Sequence, residues 1–410
     1  MLTINLSDFT IQSNLMIDYK KISIIGGAGH IGLPLSVLLF NLGYKVNLVD
    51  TNNHNLDLIK KGKAPFYEKD IEKYLKKTIG SKRFLTTNLL GSIKDSKFIF
   101  ICIGTPISNK LKPDLKNFFN LLSLIKKIVN KKSHIIIRSS IAPGTFSKIF
   151  KIFNSKFFFK NISYCPERVL QGKSMVELSK IPQIISSYNY NSLRTVKKLF
   201  NRLCKDIIVC KPEEAEMAKI LSNAYRYLNF SIANQFFQIC DQNHLNFEKI
   251  RRLMRFNYSR TNGLAAPGLV GGPCLMKDTM QLNYLTKDKN NLLKNAYLVN
   301  EGLPKYIVNK INKIKSLRSK KVLVLGKTFK ANNDDLRGSL AIKLIELLKK
   351  NKIKHFVYEP NLQKIEKSKL NKLIKSCNIF VLATAHDEFK KIKIPPTKHL
   401  VDVSGFYLKT

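Results

Sequence analysis

Lys21 to Ile25 is a short β-branched run, a glycine-rich turn follows it directly, and from Leu33 to Leu42 the apolar positions take helical spacing. Val46 to Val49 reads as a second strand, closed by Asp50. Strand, turn, helix, strand is how a parallel α/β sheet begins. Further strands end in Phe98 to Cys102 and in His134 to Ile137, and they run into the loops Gly104-Thr105-Pro106 and Arg138 to Thr145. Tyr164 to Leu170 is a third loop of this kind. Ligands in open α/β sheets sit at the carboxyl ends of strands, so these loops are expected to line a cofactor and substrate cleft. As local chemistry alone, their prolines are equally well turn residues.

After Pro212 the pattern changes. Glu213 to Asp241 contains neither proline nor glycine, which allows a helix of about 40 Å at 1.5 Å per residue that links domains. Glu216, Lys219 and Asn223 fall at i, i+3 and i+7 and share one face; by spacing alone that face could as well be solvated. A second helical stretch, Phe247 to Phe256, leads into a glycine-rich loop around Cys274. From Lys321 another α/β unit is predicted: a strand at Val322 to Leu325, a polar loop from Gly326 to Gly338, a helix from Ser339 to Lys350 and a strand from Lys354 to Tyr358. Ile379 to Ala383 and Leu400 to Val403 add strands.

The expected architecture is therefore α/β, with two Rossmann-like doubly wound domains joined by a long central helical segment. The boundaries are an extension over 1–19, a dinucleotide-binding domain over 20–211, a central helical domain over 212–304 and a C-terminal domain over 305–410. The second α/β unit lacks the glycine pattern of the first, so a second dinucleotide is not expected. Its loop, with Lys327, Lys330 and Arg337 near a helix N-terminus, suits a phosphate.

A chain of 410 residues is too long for one core, in keeping with two or three domains. Its seven cysteines (Cys102, Cys165, Cys204, Cys210, Cys240, Cys274, Cys377) are scattered and form no CxxC pair. That points to a reducing cytoplasm, without disulfides or structural zinc. No His/Cys/Asp/Glu group has metal-ligand spacing. The first residues carry no export signal, and no run of about eighteen apolar residues occurs, so a cytoplasmic protein away from membranes is expected. They also precede the first strand without periodicity, which leaves both Met1 and Met16 as starts. The net charge of +43 is spread along the chain. It fits either lysine-rich coding drift on solvated faces or a surface that attracts polyanions and phosphate-bearing substrates.

Two motifs carry chemistry. Gly27-Ala28-Gly29-His30-Ile31-Gly32 sits between a strand and a helix. Gly27 permits the tight turn, Gly29 lets backbone N–H groups approach a pyrophosphate, and Gly32 lets the helix lie close on the sheet, with His30 and Ile31 completing the turn. Asp50 is placed to accept from the adenine ribose hydroxyls and to repel a 2′-phosphate, which favours NAD over NADP. The second motif is Gly271-Gly272-Pro273-Cys274-Leu275-Met276-Lys277-Asp278. A cysteine is usually just buried, but beside a dinucleotide fold and near a lysine it becomes a candidate nucleophile for oxidation through a thioester.

The ordered motifs GGAGHIGLPL, ICIGTP, RSSIAPGT, YCPERVLQGK, EAEMAKILSNAYR, GGPCLMKD and GKTFKANNDDLRGS resemble the UDP-glucose/GDP-mannose dehydrogenase family from about Lys20 onward. YCPERVLQGK and the EMAK helix most resemble the branch that oxidises UDP-N-acetylmannosamine. The cysteine loop departs from that branch, which has a histidine where Pro273 stands; its CLxKD form resembles UDP-glucose dehydrogenases. The resemblance implies a four-electron oxidation of a nucleotide sugar at C6 to the uronate, with two NAD reduced in turn, serving surface polysaccharide synthesis. UDP-N-acetylmannosamine or a related UDP-HexNAc is the expected substrate, with UDP-glucose or GDP-mannose as alternatives.

The resemblance also assigns residues. Cys274 captures the aldehyde, Lys219 stabilises the oxyanion or moves a proton, and Asn223 hydrogen-bonds the same oxygen. Asp278, Glu167 and Ser140 position or activate water, while Thr105 lies with the cofactor. Arg168, Lys277, Lys330 and Arg337 belong to the substrate, and Arg260 reaches the sugar across a homodimer. His30 is not expected to be catalytic, and His386 is expected to be structural. A third class, a non-catalytic nucleotide-sugar protein whose basic surface engages nucleic acid, is disfavoured because Cys274, Lys219, Asn223 and Asp278 are all retained.

Overall fold

The computed structural model describes residues 20–408 apart from 109, 155–160, 287, 289, 315–318 and 363–365. The extension over 1–19 and the choice between Met1 and Met16 lie outside the described residues. The first sheet is built from β1 (Lys21–Ile25), β2 (Lys45–Val49), β3 (Phe84–Thr87), β4 (Phe98–Ile101), β5 (His134–Ile137) and β6 (Ile162–Tyr164), all parallel and ordered β3-β2-β1-β4-β5-β6. The central strands β4 and β5 are buried at every position because both of their faces are covered. Ile22, Ile24, Phe98, Phe100 and Ile136 pack in one core, while Ile25, Ile99, Ile101, Ile135 and Ile137 pack in the other. Each such side chain stabilises the fold by about 1.5–3 kcal/mol on burial.

The connections are α1 (Gly32–Asn41), α2 (Asn53–Lys60), α3 (Ile71–Leu75), α4 (Lys116–Ile128), α5 (Thr145–Asn154), α6 (Ser174–Lys180) and α7 (Tyr190–Phe200). A small parallel pair, β7 (Gln183–Ile185) and β8 (Ile207–Val209), lies beside the sheet. Because β1, β4, β5 and β6 run in one direction, the glycine turn and the three predicted loops all emerge at the same edge of the sheet.

The central helix α8 (Pro212–Gln242) has 31 residues, about 46 Å at the standard rise. Its start is well specified: Pro212 stands in the first turn, Glu213 and Glu214 face the helix dipole, and Glu214 accepts from the Lys211 N–H at 2.8 Å. Two shorter helices follow, α9 (Phe247–Arg255) and α10 (Leu275–Asn283), and then α11 (Leu292–Asn312). Helix α8 packs on α10 and α11. A buried amide ladder ties them together: Asn234 donates to Asn300 at 2.8 Å and accepts from the Gly268 N–H at 2.8 Å, while Asn300 donates to the Tyr227 carbonyl.

The second sheet comprises β9 (Lys321–Leu325), β10 (Lys354–Tyr358), β11 (Ile379–Leu382) and β12 (His399–Asp402), parallel in the order β10-β9-β11-β12. Helix α12 (Leu340–Lys350) covers one face, starting at Ser339, whose hydroxyl accepts from the Ala341 N–H. Helix α13 (Lys367–Ser376) contributes Leu370, Leu373 and Ile374 to the core on the other face. The expected division between 304 and 305 falls inside α11. Leu303, Ile307 and Ile311 all pack in the C-terminal core, so this helix belongs at once to the central segment and to the last sheet. Among the described residues no helix is long and apolar enough to cross a membrane.

Candidate active site

The glycine turn sits between β1 and α1. The Gly27 N–H donates to the Val49 carbonyl at 3.1 Å. A Cβ on Gly32 would lie 2.3 Å from the Gly26 carbonyl, so only glycine lets α1 start this close to the turn. A Cβ on Gly29 would meet nothing nearer than 3.4 Å. The fold therefore does not demand glycine at 29, and the bare backbone there suits a ligand that comes close. Helix N-termini present unpaired N–H groups and positive potential, and α1 has no acidic residue in its first turn. His30 and Ile31 lead directly into it. Asp50 accepts from the Ala28 N–H with one carboxylate oxygen and from the Asn52 N–H with the other, each at 3.0 Å. A carboxylate offers about four lone-pair sites, which leaves room for the two ribose hydroxyls. These features fit NAD.

Cys274 is exposed and is the residue immediately before α10, at the N-terminal end of that helix. The glycines before it are set by the C-terminal domain. Gly272 has φ +97, a Cβ on it would strike the Phe329 ring at 2.6 Å, and its N–H donates to the Gly338 carbonyl at 2.9 Å. The cysteine loop thus lies directly against the polar loop 326–338. By contrast, burial pushes the thiols of Cys102 and Cys165 up to about 12, which leaves them unreactive.

The helix face read from spacing is buried rather than solvated: Glu216, Lys219 and Asn223 all lie inside. Asn223 donates to Asp278 Oδ2 at 2.6 Å, and Asp278 Oδ1 lies 3.1 Å from Lys277 Nζ. Burial lowers the pKa of Lys219 most strongly, opposed by the charges of Asp278 and Cys274, which shows both groups within its electrostatic reach. Glu216 has a different task. Its two oxygens accept from the Gly144 and Phe146 N–H groups at 2.8 and 2.6 Å, anchoring the start of α5 and with it the loop that carries Ser140. Ser140 is half-buried, and its carbonyl accepts from the Thr105 hydroxyl. Thr105 in turn accepts from Lys277 Nζ at 3.2 Å.

Several expected substrate residues are engaged within the fold. Lys277 bridges Thr105 and Asp278, and Arg168 donates to the Pro182 carbonyl. Glu167 pairs with the guanidinium of Arg138 and accepts from the Arg168 and Val169 N–H groups at 2.7 and 3.1 Å. Arg138 is fully buried and also donates to Gln183 at 3.0 Å. Removing one partner of a buried pair costs about 3–5 kcal/mol, so Glu167 holds the fold as well as the site. Lys330 donates to the Gln171 carbonyl at 2.6 Å, and Arg337 grips Asp335 at 2.7–3.1 Å while lying within electrostatic reach of Cys274. Arg260 is exposed on a turn beyond α9, with its guanidinium 5.9 Å from the Tyr258 ring.

Arg138, Glu68 and Gln171 escaped sequence reasoning. Glu68 accepts from Gly172 and Ser174 and fixes the loop behind Arg168. In the sequence it sits in a charged stretch that reads as surface. His386 is structural: its Nδ1 accepts from the Asn332 N–H at 2.9 Å and its Nε2 lies 3.0 Å from Glu359. Glu359 stands after β10 where Asp50 stands after β2, but it is occupied by His386 and by the Lys327 and Thr328 N–H groups. Among the described residues no cluster could hold a metal ion.

Two Rossmann-like domains, one opening on a dinucleotide turn, joined by a long helical segment that carries an exposed cysteine define the fold of an NAD-dependent dehydrogenase. The family models of the UDP-glucose/GDP-mannose dehydrogenases match for the NAD binding domain over 20–204, the central domain over 213–302 and the UDP binding domain over 323–408. The chain is 31% identical over 388 residues to a UDP-N-acetyl-D-mannosamine dehydrogenase of Methanococcus maripaludis, covering 92% of this chain and 88% of that protein. It is 27% identical to a UDP-glucose 6-dehydrogenase of Rickettsia felis, covering 89% and 87%. The solved UDP-D-ManNAc dehydrogenase of Pyrococcus horikoshii superposes with a TM-score of 0.83 at 27% identity, over 91% of each chain. The chain belongs to the UDP-glucose/GDP-mannose dehydrogenase family of NAD-dependent nucleotide-sugar oxidoreductases.

Proposed function

We propose that the protein oxidises the C6 hydroxyl of UDP-N-acetylmannosamine, or a closely related UDP-N-acetylhexosamine, to the uronate through a thioester on Cys274. The observation that carries this reading is the exposed Cys274 at the start of α10, set against the buried Lys219, Asn223 and Asp278. The relatives named for UDP-N-acetylmannosamine support the sugar. NAD, held by the turn Gly27 to Gly32 and by Asp50, supplies the hydride acceptor for both oxidations.

The chain's own groups do the rest. Lys219 and Asn223 face the reacting oxygen and donate to it as negative charge develops, and Lys219 transfers the proton. Cys274 Sγ adds to the aldehyde carbon, so that a carbinol hydrogen is again available for removal, and the resulting thioester is opened by water. Asp278 orients Asn223, and with Ser140 it holds that water. Glu167, tied to Arg138 and two N–H groups, shapes the Arg168 to Leu170 backbone around the sugar. Lys277 acts as a bridge between the cofactor loop and Asp278. Lys330 and Arg337 hold the nucleotide.

The chain divides its work accordingly: 20–211 for NAD, a central segment through α11, and the last sheet for the nucleotide. A second copy completes the assembly. Leu221, Tyr225, Ile232, Phe236 and Ile239 form an exposed apolar stripe along α8, and Leu253 on α9 and Phe256 just beyond it are exposed as well. A homodimer across this face would also bring Arg260 to the partner's sugar. The reduced cysteines suit the cytoplasm, and nucleic acid has no part in the reading.

A UDP-glucose substrate is the second reading, favoured by Pro273 and Lys277 in the cysteine loop. The test is NADH formation by purified protein across UDP-N-acetylmannosamine, UDP-N-acetylglucosamine, UDP-glucose and GDP-mannose, with mass analysis of the products. Two NADH per uronate from UDP-N-acetylmannosamine is the expected result, and preferential turnover of UDP-glucose would select the second reading. Asp50→Ala is expected to raise the KM for NAD about tenfold and to narrow the preference over NADP, through lost ribose hydrogen bonds and lost repulsion. An unchanged NAD/NADP ratio would refute its role.

A further inference from the structure

The dinucleotide turn and the C-terminal loop meet in a polar junction that the oxidation chemistry leaves unused. The Gln171 amide donates to Asp335 Oδ2 at 3.1 Å and to His30 Nε2 at 3.2 Å, and the Gln171 carbonyl accepts from Lys330. His30 belongs to the pyrophosphate turn, and its ring packs tilted by 41° against Phe66, with 3.9 Å between centroids. The neighbouring Tyr67 N–H reaches Asp334 at 2.8 Å. One side chain therefore touches the fingerprint turn and the nucleotide loop while its backbone belongs to the sugar loop.

The ionisation of the junction makes this side chain decisive. Burial, then the charge of Arg337, push His30 down to about 4, so it is neutral at physiological pH. Its 3.6 Å approach to Asp335 is then no ion pair. Asp335 is held below its ordinary value: burial alone would raise it, but hydrogen bonds from Arg337 outweigh that. With the ring proton on Nδ1, His30 Nε2 and the Asp335 carboxylate oxygen are two acceptors that face each other and take a shared donor. The two N–H bonds of the Gln171 amide supply it.

We propose that Gln171 couples the two ligand sites: through His30 and Asp335, a nucleotide on the C-terminal loop strengthens dinucleotide binding at the Gly27 to Gly32 turn. The reciprocal effect follows by linkage. The proposal rests on reading loop 326–338 as the nucleotide site. A nucleotide there orders Lys330, Asp335 and Arg337 in the arrangement that holds Gln171, and Gln171 in turn orients the His30 side of the turn. The free energy of closing the junction is then spent once for two ligands.

The test is fluorescence titration of the full chain with NADH, alone and with saturating UDP or GDP. Wild-type protein is expected to bind NADH about tenfold more tightly with the nucleotide present. Gln171→Leu keeps the bulk and removes both donors, and it is expected to bring that ratio to within about twofold of unity while the nucleotide still binds. His30→Phe keeps a ring against Phe66, removes the acceptor and should lose the coupling as well. Coupling retained in both variants, or absent from wild-type protein that binds both ligands, overturns the proposal. Failure of the nucleotide reading registers separately, as binding of neither UDP nor GDP, and would remove the coupling with it. If only GDP binds, the base assignment alone changes and the same titration with GDP decides.

Discussion

Cys274→Ser is expected to abolish uronate release, lowering turnover on the order of 10⁶-fold, the scale on which removal of a covalent nucleophile acts. The thiol is the exposed one ahead of α10, within electrostatic reach of Lys219 and Arg337. A serine hydroxyl in the same field ionises far less readily and is a poorer nucleophile toward the aldehyde. The first oxidation needs no thiol, so a small amount of aldehyde-level product is expected where the uronate disappears. The measurement is NADH per enzyme in a single turnover, with mass analysis of the sugar. A variant that releases uronate at the wild-type rate would sink the thioester mechanism. Alkylation offers a second readout, because Cys102 and Cys165 are held unreactive by burial while Cys274 is open to the reagent.

Lys219→Met is expected to lower kcat about 10²–10³-fold, comparable to the loss of one donor aimed at a developing oxyanion. The substitution keeps most of the stem on the buried face of α8 and removes the charge. Burial lowers the Lys219 pKa, with Asp278 and Cys274 opposing it, so the amine gives up its proton at a lower pH than a free lysine would. The sign follows: if the ammonium is the donor, kcat falls on the alkaline side at a pH below the ordinary lysine range, and the Met variant loses that limb. NADH affinity should stay near the wild-type value, since among the described residues no hydrogen bond or ion pair links Lys219 to the glycine turn. A Met variant with wild-type kcat, or one that keeps the alkaline limb, would show that another group carries the proton.

The readable part of this site was local. The turn Gly27 to Gly32 and Asp50 lie on one strand-turn-helix-strand unit, where spacing alone sets the geometry, and the structure places Asp50 on the Ala28 N–H of that turn. The spacing of Lys219 and Asn223 likewise placed them on one helix face. Whether that face was wet or buried could not be read from spacing, because burial depends on α10 arriving against α8. The same gap hid Glu216. In sequence it is one more acidic residue on a charged helix, whereas in the structure it anchors α5, some 70 residues away.

The sequence by itself determined the glycine turn, the acidic residue that closes it, the long helix and a cysteine beside a lysine and an aspartate. Each depends on neighbours within a few positions, and there backbone sterics and side-chain period suffice. Only the tertiary structure decided that Lys277 turns inward to Thr105 and Asp278, that Arg138 holds Glu167, and that Gln171 joins His30 to Asp335. Those contacts cross between loops brought together at the ends of parallel strands and by the C-terminal loop 326–338 meeting the first domain. A polar residue's role there is set by which partner must be satisfied once water is excluded, and the chain order does not record that.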